Sequence, residues 1–307
     1  MKRSQVLAIV MAVCLFMSFA LGSSSTSTES TKAITGTGDV QDSTDAKSDD
    51  ILSLGNKKEK PTIEEAVVFE KDGIKITAKE YTTDSIWGDG IKFLLENDTD
   101  KNITVGITAL IVNDFMINDT FVAEIAAGKK TNETMKLSTT ALNAAGIDVI
   151  GQIEVYFHMY DSDTWDDIAK SDCITIKTSL YDKMDKTVDD AGQVLFDQDG
   201  IKIVGKYVDE SSFWGAGIVL YIENNTDKNV LIQVDNFSVN GFTLSSVLFS
   251  CDVYAGKKAV DDVTLLSSEL EENDIKSVDE VTLKFVIINP DTYDTITKSD
   301  EITFKTK

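Results

Sequence analysis

The chain of 307 residues carries 52 acidic side chains against 29 Lys and Arg, which gives a net charge of −23. Hydrophobic residues make up 42% of the sequence, so the chain contains enough apolar surface for ordinary cores and is not disordered throughout. The acidic excess excludes nucleic-acid backbones and anionic membrane surfaces as partners, because both require a cationic face. The length suffices for two ordinary domains.

The N-terminal segment 1–22 has the three parts of a secretory signal peptide: a positively charged start, an apolar run over 6–21 and small residues at the exit. The small residues predict cleavage after Ala20 or Gly22. An uncleaved membrane anchor is the alternative, because a run of this length is close to the minimum that spans a bilayer. Under both alternatives we expect a secreted or cell-surface protein, which contacts the membrane only through an uncleaved signal.

An internal duplication organises the rest of the chain. Matching segments lie 127 residues apart early in each copy and 128 residues apart later. We therefore expect two domains of about 115 residues, at 63–179 and 193–307, with a solvated acidic linker at 180–192 and a disordered Ser/Thr/Asp-rich tether at 23–62. The matched segments are 69–76 with 196–203, 87–91 with 214–218, 96–102 with 223–229, 128–130 with 256–258, 170–172 with 298–300 and 174–178 with 302–306.

Each copy alternates apolar and polar residues, as strands with one buried face require. Turn-forming residues separate these runs. One short helix is expected in each copy: in the first, Ser138 or Thr139 would cap a helix over 141–145 that Gly146 ends, and in the second the helix would begin at Ser267. Seven or eight short strands with one helix predict an all-β chain of two tandem immunoglobulin-like (Ig-like) β-sandwiches.

Three duplicated motifs carry a resemblance to known proteins. They are Trp-Gly-x-Gly-Ile at 87 and 214, Glu-Asn-(Asp/Asn)-Thr-Asp-Lys-Asn at 96 and 223, and Ala-Gly-Lys-Lys at 127 and 255. The chain resembles tandem Ig-like domains of secreted Gram-positive bacterial proteins of unknown function, and more distantly the Ig-like fold of immunogenic extracellular mycobacterial antigens. The resemblance covers both copies. It implies a fold and an extracellular location but no catalytic residues.

The sequence offers little for catalysis. Its single histidine, His158, lies on the strand face opposite Val155 and Phe157, and the second copy has Val286 at that position. Acid–base and nucleophilic catalysis need a group that titrates near neutral pH or an activated nucleophile. The sequence contains neither a nucleophile-elbow motif nor a phosphate-binding loop. We therefore expect a protein that is not an enzyme and uses no cofactor.

Two pairs of equivalent aromatic residues are the candidate ligand contacts: Trp165 with Tyr293, and Trp87 with Trp214. Trp165 and Tyr293 lie in matching Asp-Thr-aromatic-Asp loops before the last strand of each domain. Such loops could bind a sugar, a peptide or a cation. Alternatively, the acid caps a turn and the ring covers the end of a core. The other pair either anchors a partner or closes the edge of a sandwich.

Metal and disulfide sites have weak support in the sequence. The segment 161–166 begins like a calcium loop, but Trp165 stands where an oxygen ligand is needed, so we expect no metal site of the EF-hand type. Calcium binding by other turns stays open. A bridge between Cys173 and Cys251 also stays open, although the two lie at non-equivalent positions of the copies.

These observations predict a monomeric, non-catalytic interaction or structural module outside the cytoplasm, whose partner is an unknown extracellular protein or glycan. The alternative is a carbohydrate- or small-ligand-binding accessory protein that uses the Trp165 and Tyr293 loops. Loss of polysaccharide retention after substitution of both rings would favour the alternative.

Overall fold

The structure, a computed structural model, describes residues 59–84, 88–210, 212 and 214–306. Over this part the chain is mostly β-strand, which confirms the all-β prediction. We refer to 66–177 as the first repeat and to 193–305 as the second repeat. The strands of the first repeat are β1 (Ala66–Lys71), β2 (Ile74–Asp84), β3 (Gly88–Asn97), β4 (Ile103–Val112), β5 (Phe115–Met116), β6 (Val122–Ile125), β7 (Lys129–Lys136), β8 (Gln152–Asp161), β9 (Asp167–Lys170) and β10 (Ile174–Lys177).

The second repeat follows the same order with one additional short strand, β16. Its strands are β11 (Gln193–Gln198), β12 (Ile201–Asp209), β13 (Gly215–Asn224), β14 (Val230–Val239), β15 (Phe242–Thr243), β16 (Val247–Leu248), β17 (Ser250–Val253), β18 (Lys258–Leu266), β19 (Glu280–Ile288), β20 (Thr295–Lys298) and β21 (Ile302–Lys305).

Two short helices and a 3-10 turn complete the described elements. Helix α1 spans Thr139–Ala144, and the Ser138 hydroxyl caps it by accepting from the Ala141 N–H. Helix α2 spans Ser267–Glu272, and the 3-10 turn spans Tyr181–Lys183. Among the described residues, no helix combines the length and the apolar character needed to cross a bilayer.

Each repeat places its strands in two groups that face each other across a core. In the first repeat, β1-β2-β3-β7 forms one group, and β8 pairs with β4, β9 and β10 in the other. The second repeat has β11-β12-β13-β18 in one group, and β19 paired with β14, β20 and β21 in the other. The facing groups meet through buried side chains: Phe93 of β3 contacts Phe157 of β8 edge to face, with ring centroids 5.4 Å apart.

A parallel strand contact joins the two repeats into one continuous sheet. Phe115 of β5 pairs with Lys258 of β18, and the Lys258 N–H donates to the Asp114 carbonyl at 2.9 Å. The neighbouring Lys257 ammonium lies 2.7 Å from the Asp114 carboxylate and 2.5 Å from the Glu154 carboxylate. We call this set the junction. Lys257 supplies the counter-charge for the Glu154 carboxylate, which is buried and needs one.

The two carboxylates of the junction are not duplicated in the second repeat. At the positions equivalent to Asp114 and Glu154, the second repeat has Gly241 and Thr282. A further copy stacked on β15 would therefore find no carboxylate for its counterpart of Lys257. The ion pair thus specifies which edges meet.

The linker is less solvated than its acidic sequence predicts. Leu180 is buried, and Val188 packs against the core of the first repeat. The acids do face solvent, and Asp189 pairs with Lys206 of β12 at 2.9 Å. Leu180 and Val188 of the linker therefore add to the first core, while Asp189 and Asp190 pair with lysines of the second repeat.

A buried asparagine fastens the two strand groups of the first repeat. Asn97 ends β3 and is fully buried. Its amide nitrogen donates to the carbonyls of Lys101 at 2.8 Å and Ile125 at 2.9 Å. Its oxygen accepts from the Thr99 N–H at 3.0 Å and from the Thr99 hydroxyl at 2.7 Å. Every polar atom of the amide is therefore satisfied, as burial demands.

The second repeat repeats this arrangement. Asn224 is equally buried and donates to the carbonyls of Lys228 at 2.8 Å and Val253 at 2.9 Å. It accepts from the Thr226 N–H at 3.0 Å and the Thr226 hydroxyl at 2.7 Å. The duplicated Glu-Asn-x-Thr motif is therefore structural, and its asparagine is the residue that connects the turn to the opposite sheet.

Replacement of either buried amide should destabilise the protein. Asn97→Ala and Asn224→Ala should each lower the free energy of unfolding by about 2–4 kcal/mol, because the buried carbonyls lose their donor. Urea unfolding measures the change. The matched control is Asn132→Ala on the exposed side of β7, for which we expect less than about 0.5 kcal/mol. Equal effects at the buried and exposed positions would contradict the assigned role.

Candidate functional site

The loop after β8 displays an exposed aromatic stack. The Trp165 indole stacks on the Tyr160 ring, with centroids 5.3 Å apart and planes inclined by 19°. The His158 ring lies 5.6 Å from the Tyr160 ring on the same strand face. Trp165 is nevertheless 65% exposed. We call His158, Tyr160 and Trp165 the aromatic row, and its outer end presents an indole to solvent.

Local hydrogen bonds hold the indole in this position. The Asp161 carboxylate accepts from the N–H groups of Asp163 at 3.0 Å and Thr164 at 3.2 Å, while the Trp165 N–H donates to the Asp161 carbonyl at 2.8 Å. Trp165 adopts a left-handed backbone with φ of 63°, which is uncommon for a large side chain. The Lys101 ammonium lies 2.9 Å from Asp161 and lowers the pKa of that carboxyl. The acid that caps this turn is therefore Asp161.

His158 forms a hydrogen bond with an acid near the surface of the loop. Its Nε2 atom lies 2.6 Å from the Asp167 carboxylate, and this hydrogen bond lowers the pKa of Asp167. Lys170 lies 3.4 Å from the same carboxylate. The imidazole is thus engaged by an acid at the start of β9, which fixes its ring beside Tyr160.

The second repeat duplicates the turn but not the aromatic row. Tyr293 has φ of 60° and is 61% exposed, and its N–H donates to the Asn289 carbonyl at 2.8 Å. The Asn289 side chain accepts from the N–H groups of Asp291 and Thr292, as Asp161 does in the first repeat. However, Ile288 takes the place of Tyr160, so the ring beneath the exposed aromatic is missing.

The structure gives the exposure of the candidate residues that it describes. The interpretation in which Trp165 and Tyr293 cover the ends of cores is wrong, because both rings are largely exposed. Trp214 is 56% exposed. Its carbonyl accepts from the N–H and hydroxyl of Ser267 at the start of α2. Trp87 lies outside the described residues.

The position of the aromatic loops also differs from the prediction. The Trp165 loop connects β8 to β9, and another strand, β10, follows it. The Tyr293 loop connects β19 to β20, and β21 follows. A short strand, β9, therefore lies between the Trp165 loop and the closing strand β10, and both strands pair with β8.

A buried carboxyl group lies where the two repeats meet. Asp261 of β18 and Cys251 of β17 line a cavity of about 200 Å³, together with Thr108 of β4. The pKa of Asp261 is raised to about 6, chiefly by burial; the Asp262 N–H and the Cys251 thiol oppose this increase through hydrogen bonds, and the Asp262 carboxylate adds to it. Burial also raises the pKa of the Cys251 thiol. Cys251 and the exposed Cys173 are both free thiols, so no bridge joins them.

Neither metal ligands nor known relatives assign a function. The part of the chain that the structure describes contains no group of three or more His, Cys, Asp or Glu residues placed to hold a metal ion. No protein-family model matches the sequence, and no curated protein is significantly similar to it. The function must therefore follow from the geometry of the described surfaces.

The turn beneath Trp165 can be tested with a substitution that the chain itself supplies. Asp161→Asn should preserve the turn, because Asn289 makes the same backbone contacts in the second repeat. Asp161→Ala removes the acceptor and should lower the midpoint of thermal unfolding by more than Asp161→Asn does. Thermal unfolding followed by circular dichroism provides the comparison. Equal losses for both variants would show that the Lys101 ion pair, rather than the cap, holds the loop.

Asp261 should make stability depend on pH. Its pKa is higher in the folded than in the unfolded chain, so the folded state binds more protons between about pH 4 and 6. The free energy of unfolding should therefore fall as the pH rises through this window, by up to about 3 kcal/mol. Asp261→Asn should remove this component, whereas Asp98→Asn at an exposed turn should keep it. Urea unfolding at pH 4 and pH 7 gives the difference, and an unchanged pH dependence in Asp261→Asn would contradict the assignment.

Proposed function

We propose that the chain is a non-catalytic interaction module that acts outside the cytoplasm and consists of two tandem Ig-like β-sandwiches. The duplicated strand order and the facing strand groups support the Ig-like assignment. The signal-like N-terminus supports the location. The partner would be an extracellular protein or a glycan.

The aromatic row carries this proposal. An exposed tryptophan held in a left-handed turn on a second ring has no role in either core. Because its backbone and its inner face are already fixed, little entropy is lost when a partner packs on its outer face. Tryptophan is also the residue type most enriched among side chains that dominate binding energy.

The junction supports the same function because it fixes the two repeats to each other. It connects the sheet that carries the Trp165 loop to β18 of the second repeat, while the Tyr293 loop extends from β19 in the facing strand group of that repeat. Binding surfaces on rigid elements lose less conformational freedom on association than surfaces on separate, flexibly linked domains. The protein would therefore present the Trp165 and Tyr293 loops at a fixed separation.

A neutral carbohydrate is the second candidate partner, and the chemistry around Trp165 favours it. The exposed indole offers a flat apolar surface to the C–H face of a sugar. The exposed carboxylates of Asp163 and Asp166 flank it and accept hydrogen bonds from hydroxyl groups. The same carboxylates disfavour an acidic glycan.

The experiment compares the wild-type chain with Trp165→Ala and with Trp214→Ala, which removes an indole of similar exposure from the second repeat. Each immobilised protein is incubated with a cell-surface protein extract and, separately, with neutral polysaccharides. Trp165→Ala should weaken retention of the partner at least tenfold, because it removes the central contact. Trp214→Ala should retain it.

Both partner classes have a defined negative result. If the wild type retains no neutral polysaccharide, the carbohydrate candidate is rejected. If Trp165→Ala captures the same extracellular proteins as the wild type, the aromatic row is not the interaction surface. Both results together would overturn the proposed function.

A further inference from the structure

A cavity of about 440 Å³ lies at one end of the first repeat, away from the aromatic row. Its walls come from the end of β2, the start of β3, helix α1, the loop that follows α1, and the 3-10 turn. A volume of this size is in the range of small-molecule sites. The segment 59–61 borders it, and an ion pair between Glu59 and Lys183 closes that side.

The cavity combines an apolar wall with a small polar centre. Leu142 of α1, Ile150 and Leu180 are buried residues that form much of the wall. The polar centre is the Tyr81 hydroxyl with the Asp89 carboxylate beside it. An apolar wall with a few convergent polar groups is the usual composition of a ligand pocket.

The Tyr81 hydroxyl is buried, and no hydrogen bond of good geometry reaches it from the described residues, although the Asp89 carboxylate lies close enough to act as an acceptor. Burial and the nearby Asp89 carboxylate raise the pKa of Tyr81, so the hydroxyl keeps its proton and can both donate and accept. An unpaired buried hydroxyl destabilises a protein unless water or a ligand satisfies it. The cavity is large enough to admit either.

The second repeat provides an internal comparison. An equivalent cavity of about 300 Å³ lies beside α2 and is lined by Leu270, the counterpart of Leu142. At the positions of Tyr81 and Asp89, the second repeat has Val208 and Ala216. The fold thus forms this cavity without the polar centre, so the hydroxyl and the carboxylate are not needed to build it.

The charge of the cavity defines the ligand class. The carboxylates of Glu59 and Asp89 line it, together with the ammonium group of Lys183. Glu59 and Lys183 neutralise each other. A cationic donor is therefore favoured at the polar centre, and an apolar body is favoured against the wall.

We propose that this cavity binds a small amphipathic amine, whose ammonium group donates to the Asp89 carboxylate and the Tyr81 hydroxyl while its apolar part contacts Leu142 and Leu180. The site is distinct from the aromatic row, and amine binding there does not depend on the partner proposed above.

The test titrates the full chain with 2-phenylethylamine and 3-methylbutylamine, and with 2-phenylethanol as a neutral analogue, followed by isothermal calorimetry and by ligand-observed NMR. Both amines should bind saturably to one site, and 2-phenylethanol should bind at least tenfold more weakly. Tyr81→Phe should weaken amine binding about three- to tenfold, and Asp89→Asn tenfold or more. Thermal unfolding checks that both variants are folded.

Glu210→Gln is the matched control, because it removes one charge from the second-repeat cavity and should leave amine binding unchanged. Absence of saturable binding by both amines would overturn the proposal and leave water as the partner of Tyr81. Equal binding of 2-phenylethanol, or unchanged binding in folded Asp89→Asn, would also overturn it. Equal weakening by Glu210→Gln would show attraction to the acidic surface in place of a site.

Discussion

The fold depends on one buried amide that is used twice. Asn97 and Asn224 each end a strand of one sheet and donate to the last residue of a strand in the opposite sheet. A primary amide in this position can saturate two acceptors and two donors at once, which no hydroxyl or carboxylate does. The turn that follows, the spacing of the two sheets and the start of the next strand are all set by these bonds. The cores then fill the space that the amide defines.

The internal repeat and the alternation of apolar and polar residues could be predicted from the sequence, because both follow from local rules. The strands, the cap of α1 and the turn motif around Asn97 are of this kind. Three other features do not follow from local rules. The register shift of β4 between Ile107 and Ala109 leaves no mark in the alternation. Lys257 finds Asp114 and Glu154 only through the tertiary fold. The exposure of Trp165 depends on a left-handed residue that composition does not reveal.

Duplication has preserved the backbone and the cores but not the surface chemistry. The turns around Asp161 and Asn289 share their hydrogen bonds, yet only the first repeat stacks a ring beneath its exposed aromatic. The end cavities share their position, yet only the first repeat has the hydroxyl and carboxylate at the centre. The second repeat instead supplies Lys257, which joins the copies. The copies therefore share a scaffold and differ in the side chains that they present at its ends and edges.

If the junction makes one rigid body of the two repeats, their loops are displayed together. Backbone ¹⁵N relaxation of the full chain tests it directly. The amides of β8 and β19 should fit one rotational diffusion tensor, with a correlation time expected for both repeats tumbling as a unit. Two separate tensors, each with the shorter correlation time of a single repeat, would contradict the account.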